Sequence, residues 1–181
     1  MGLERAAWLE RRYGARVEWY PFDLHPEYPP EGAPRTHRGG AAQRMIEEAG
    51  LVYSPPADRV SNSRGALQLA EFAREQGRHD EAHQALFRAY WSEGRDIGSR
   101  SVLEDVASAI GVDADEALAA VDENRFLERV LGSTSVAVES GVDGVPAWIV
   151  DRRLLVPGAQ PREVFDRVME QLGHEPLEAA S

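Results

Sequence analysis

The sequence of 181 residues contains no cysteine. Disulfides, cysteine nucleophiles, thiolate metal sites and thiol redox chemistry are therefore closed to the chain as it stands. It contains no lysine either, since all 20 basic residues are arginine, which removes Schiff-base chemistry and the phosphate-binding lysine of a P-loop. Positive charge is scarce: 31 acidic residues leave a net charge of −11 and an isoelectric point near 4.9. Such a chain lacks the basic footprint of a nucleic-acid binder and is repelled by anionic membranes. Long apolar runs are missing as well, both at the length of a membrane span and as the apolar core of a signal peptide. The expectation is a globular cytoplasmic protein with neither nucleic acid nor membrane as partner, in one domain burying about 70% of its unfolded surface.

What is present is mostly helical patterning. A first helix spans about Gly2 to Tyr13, with Leu3, Ala6, Ala7, Leu9 and Tyr13 on a broad apolar face and Gly14 ending it. Arg16–Tyr20 reads as a strand that Pro21 stops. The stretch 21–40 carries prolines 21, 26, 29, 30 and 34 and reads as a loop. Helical patterns follow at about Ala41–Ala49, Arg64–Gln76, His79–Ser92, Val102–Ile110, Ala114–Val121 and Arg125–Ser140. Ser101 with Glu104, and Asp113 with Glu116, stand at capping-box spacing, and Asn62 and Ser63 precede the helix at Arg64 as caps. Ala147–Val150 and Leu154–Pro157 read as a hairpin turning at Asp151-Arg152-Arg153. A last helix starts at Pro161 and runs to about Leu172, with Val164, Phe165, Val168 and Leu172 on one face.

Two features do not close. The first helix has no capping residue before it. Ala147-Trp148-Ile149-Val150 is apolar on both faces of the pleat, as a central strand is, and a central strand needs two neighbours. A crossover unit would also place a strand before the first helix, so the chain reads as starting late.

Single residues offer little chemistry. His79 and His83 stand four apart on one helix face without a third ligand at useful spacing, and a solvated polar face is the expectation. His25 and His37 have no Ser or Asp beside them that would suggest a triad. Trp8, Trp19, Trp91 and Trp148 are expected in the core or as groove walls.

The segments Val17-Glu18-Trp19-Tyr20-Pro21-Phe22, Leu24-His25-Pro26 and Ser61-Asn62-Ser63 with Ala66 resemble the DsbA-like thioredoxin-fold family. Phe87-Arg88-Ala89-Tyr90-Trp91, Gly94-Arg95-Asp96-Ile97, Gly141-Val142-Asp143-Gly144-Val145-Pro146 and Gly158-Ala159-Gln160-Pro161 carry the same resemblance. The FrnE-like branch matches best, with 2-hydroxychromene-2-carboxylate isomerase and kappa-class glutathione transferases as near relatives. The resemblance implies an α/β thioredoxin-like fold with an all-helical insertion. Residues 1–40 and 141–175 would form the thioredoxin-like part and 41–140 the insertion, as one structural unit. It further implies that the family's opening strand and its Cys-x-x-Cys are missing, with Gly2-Leu3-Glu4-Arg5 continuing the active-site helix. The expected function is that of an N-terminally truncated, redox-inactive thiol–disulfide oxidoreductase homologue without catalytic residues. A redox-silent module binding peptide or glutathione is the alternative, and a glutathione-dependent isomerase or transferase relative the second. The resemblance makes Val145-Pro146 a cis bond and gives Gly144, Val145, Pro146, Phe22, Asn62 and Trp91 as substrate-binding candidates. No metal and no cofactor are implied, glutathione being a candidate ligand. The expected partner is a peptide or small thiol, and a homodimer would cover the missing strand.

Overall fold

The computed structural model describes residues 2–36, 40–48 and 52–177. In chain order the elements are α1 (Gly2–Tyr13), β1 (Ala33–Pro34), α2 (Ala41–Glu48), β2 (Arg59–Val60), α3 (Arg64–Glu75) and α4 (His79–Trp91). They continue with α5 (Arg100–Ala109), α6 (Ala114–Asp122), α7 (Leu127–Glu139), β3 (Ala147–Val150), β4 (Leu154–Pro157) and α8 (Arg162–Leu172). The chain divides into two compact units, one of Met1–Tyr20 with Ser135–Ser181 and one of Pro21–Thr134.

The first unit is α1, the β3–β4 hairpin and α8 around one core. Apolar residues three and four apart on α1 and α8 make facing stripes, and Leu9, Val156, Phe165 and Met169 are buried between them. Trp148 meets the fully buried Phe165 edge-on at 5.4 Å between ring centroids, a favoured aromatic geometry. The hairpin is antiparallel, with Trp148 opposite Val156 and Val150 opposite Leu154. Its turn holds Asp151 at φ 52° and Arg152 at φ 57°, the left-handed pair that a type I′ connection requires.

The expected strand at Arg16–Tyr20 is not part of any sheet. Burial along it nevertheless alternates as in a strand: Ala15, Val17 and Trp19 are half-buried while Arg16, Glu18 and Tyr20 are exposed. Trp19 packs on Trp148 with ring centroids 5.9 Å apart. The side-chain pattern is that of a strand, but alternation alone does not make a ladder, and the sheet assigned among the described residues of this unit is β3 with β4.

The second unit is a helical cluster with a proline-rich strap. Leu69, Phe72, Leu103, Val106, Leu118 and Phe126 are buried where α3, α5 and α6 meet the residues before α7. Phe72 and Phe126 touch edge-on at 6.3 Å. The strap 21–36 was expected to join the thioredoxin-like part but belongs to this unit. The reason is a set of anchors. Ala33 and Pro34 pair with Val60 and Arg59, and Arg64 bonds both Asp23 and the Pro26 carbonyl. Gly32 lies so close to the second strand that a Cβ there would sit 2.3 Å from the Val60 carbonyl oxygen, at φ +77°. At the other boundary the division falls within α7, at Thr134, rather than at residue 141.

Candidate functional site

In the first unit, α1 is joined to two loops through its first described turn. Arg5, in that turn, donates from Nη2 to the Gln160 carbonyl at 3.0 Å. Gln160 belongs to the loop between β4 and α8, and its own side chain bonds the Pro157 carbonyl at 2.8 Å. Gly158, in the same loop, donates to the Pro146 carbonyl at 2.8 Å. The helix start, the 158–161 loop and the 144–146 loop are thus joined through two hydrogen bonds. The Val145–Pro146 peptide bond is cis. Pro146 is half-buried, while Val145 is 53% exposed, and no hydrogen bond to the Val145 backbone is present among the described residues.

Charge around the helix start is compensated. Arg162 bonds Glu4, and this contact holds the Glu4 carboxyl below its usual range. Arg5 lies over the rings of Trp8 and Phe165 at 5.6 and 5.5 Å. Arg12 and Tyr13 both donate to Asp166, tying the far end of α1 to α8. Among the described residues the arrangement presents an exposed backbone edge at Val145, with neither hydroxyl nor thiol on Gly2–Arg5.

The remaining site candidates, Phe22, Asn62 and Trp91, lie in the second unit. Phe22 is half-buried beside buried Asp23, whose carboxylate accepts from Arg64 at 2.7 Å and whose N–H donates to Thr134. Asn62 is engaged at every polar end of its amide. Its Nδ2 donates to the Tyr28 and Pro29 carbonyls and its Oδ1 accepts from the Arg64 N–H. Asn62 thus caps α3 and staples the strap. Ser63, the expected co-cap, makes no capping bond. Trp91 ends α4, stacked on Tyr53 at 5.7 Å and edge-on to Tyr90 at 4.8 Å. Tyr90 in turn accepts from Arg35.

The histidine pair is not on a solvated face as expected. His79, His83 and Phe87 form a row along α4, with centroids 5.8 and 4.6 Å apart. Burial lowers the pKa of His79, and that of His83 to about 4. His25 stacks on Tyr28 at 4.3 Å, and His37 lies outside the described residues. Among the described residues no group of three or more His, Asp or Glu is placed to hold a metal. Sequence reasoning missed the Arg5–Gln160 link and the buried Glu71, which pairs with Arg74 and Arg129. For Glu71 a signal existed: a carboxylate on the buried stripe of α3 with Arg three residues on.

The sequence profile of the DSBA-like thioredoxin domain matches residues 2–170. The Bacillus subtilis protein YwbO is 24% identical over 161 residues, covering 84% of this chain and 80% of its own length. Among solved structures, a probable DsbA oxidoreductase from Streptomyces coelicolor superposes with a TM-score of 0.71 at 25% identity, covering 88% of this chain and 77% of that one. A 2-hydroxychromene-2-carboxylate isomerase shares the fold at TM-score 0.62 and 23% identity, covering 72% and 63%. The cytosolic disulfide reductase DsbM of Pseudomonas aeruginosa, solved with GSH, does so at 0.56 and 20%, covering 78% and 82%. With α1, the β3–β4 hairpin and α8 enclosing one core in the first unit, and with the profile spanning nearly the whole length, the chain belongs to the DSBA-like thioredoxin domain family.

Proposed function

We propose that the 181 residues form a FrnE-type homologue of the thiol–disulfide oxidoreductases that recognises an extended peptide or small thiol and does not itself exchange disulfides. The observation that carries this reading is the Val145–Pro146 loop. Its exposed Val145 has no backbone hydrogen bond among the described residues, and two hydrogen bonds tie the loop to the first turn of α1. A free donor and acceptor on one exposed residue suit backbone pairing with an extended ligand. Disulfide exchange proceeds by thiolate attack, and no sulfur nucleophile is available in this sequence. The purified chain is expected to leave the rate of insulin reduction by dithiothreitol unchanged, and acceleration would overturn the redox-silent part.

Glutathione is the small thiol that the fold of DsbM, solved with GSH, suggests. A thermal upshift and measurable heat on titration with millimolar glutathione are expected. Absence of both removes glutathione as ligand. The isomerase or transferase reading gains no support from the first turn of α1, which has no hydroxyl. A cytoplasmic location and a homodimer belong to the same proposal. Among the described residues no helix is long and apolar enough to cross a membrane.

A further inference from the structure

Arg5 differs from its neighbouring arginines in what it bonds. Arg12 is held by Asp166 and Arg162 by Glu4, so each of these cations meets a carboxylate. Arg5 instead donates from Nη2 to the neutral backbone carbonyl of Gln160 at 3.0 Å. The Glu4 carboxylate stands 4.0 Å from Nη1, and Nη1 is buried without a hydrogen bond among the described residues. The guanidinium lies over the rings of Trp8 and Phe165, and the side chain is 15% exposed. A planar cation held against two aromatic rings keeps its donors in a fixed direction.

Gln160 carries this constraint into the loop. Its side chain folds back on the Pro157 carbonyl at 2.8 Å and closes residues 157–160 on themselves. Gly158, inside the closed stretch, donates to the Pro146 carbonyl at 2.8 Å, and Pro146 directly follows the exposed Val145. We infer that Arg5 is a positioning residue, which acts through Gln160 and Gly158 to hold the Val145–Pro146 loop in the form that receives the ligand. The inference rests on the binding reading above. A loop ordered before its ligand arrives loses less conformational entropy on binding, and affinity gains by that amount.

Arg5→Met keeps an apolar stem and removes the donors. In the full chain it is expected to speed amide exchange at Gly158 by about tenfold. Calorimetry with glutathione as the probe is expected to show affinity weakened by about tenfold. Arg5→Gln, shorter and neutral, gives the same two readings if the Met variant does not fold. Arg5→Lys restores a cationic donor and is expected to recover part of both losses. Arg12→Met removes the tie to Asp166 at the far end of α1 and is expected to leave both readings at parent values. Unchanged exchange at Gly158 in the Arg5 variants overturns the inference. Equal acceleration in Arg12→Met does so too, because Arg5 would then only brace the helix. Faster exchange with unchanged glutathione affinity overturns the role in binding. If the parent itself binds no glutathione, the small-thiol reading falls, and exchange at Gly158 still decides whether Arg5 controls the loop.

Discussion

At the scale of single residues, the histidines of α4 show how burial converts an ordinary group into a pH sensor. His83 is held neutral because burial penalises its charge, and its pKa falls from 6.5 to about 4. The neighbouring charges are Asp80, which opposes the shift, and His79 and Arg74, which reinforce it. An unfolded chain therefore binds a proton at this position before the folded one does. Its contribution to stability is complete above pH 6.5 and is lost as pH falls from there towards 4, by up to about 3 kcal/mol. Chemical denaturation at pH 6.5 and pH 5 is expected to show this decline in the parent and a flatter response in His83→Leu. Equal slopes in both would show that His83 is not the sensor. The burial was not legible from spacing: two histidines four apart fit a wet face as well as a covered one, and only the packing of α4 decides. Asn62 is the reverse case. Its place before α3 marked it as a cap, and it is one, but its two bonds into the strap join residues more than thirty positions apart.

Among elements, the contrast between two capping boxes is informative. Asp113 does cap α6, accepting from the Glu116 N–H at 2.9 Å. Ser101 does not cap α5, which starts one residue earlier with Ser99 at its N-cap position. Asp113→Ala is expected to cost about 1 kcal/mol and Ser101→Ala to fall within about 0.5 kcal/mol of the parent, as urea midpoints would show. A comparable loss in both would mean that cap geometry is not what fixes these helix starts. Helix extents were largely legible because their apolar periodicity is long and regular, as in α1 and α8. The hairpin was legible from two apolar runs with polar residues between. The strand at Arg16–Tyr20 misled, because alternation records which side is covered and does not by itself make a ladder. The pair β1–β2 carried no pattern at all, being two residues per strand with a proline in one.

For the molecule as a whole, acidity sets the energetic background. Twenty acidic and twelve basic residues fall in residues 21–134, and eleven and eight in the rest of the chain, so the surplus of 11 negative charges is concentrated in the helical unit. Self-repulsion of this kind weakens the compact state and is screened within about 10 Å at 0.1 M salt. Raising sodium chloride from 20 to roughly 300 mM is expected to raise the melting temperature. A fall would show that attractive pairs such as Arg64–Asp23 and Arg129–Glu75 outweigh the repulsion. The cis bond of the Val145–Pro146 loop was legible through the family resemblance. Its connection to α1 was not, because the Arg5–Gln160 bond spans 155 residues and no local pattern encodes so distant a contact.

The close approach at Gly32 bears on how this gene can change. A glycine codon is one nucleotide away from alanine, serine, valine, aspartate, glutamate, arginine, cysteine or tryptophan, according to its third base. Each of these would press a Cβ against the Val60 carbonyl oxygen from a backbone turned to φ +77°. Variation in the strap is thereby channelled to its outward prolines and acids, and the codon for residue 32 is left with synonymous drift as its only harmless path.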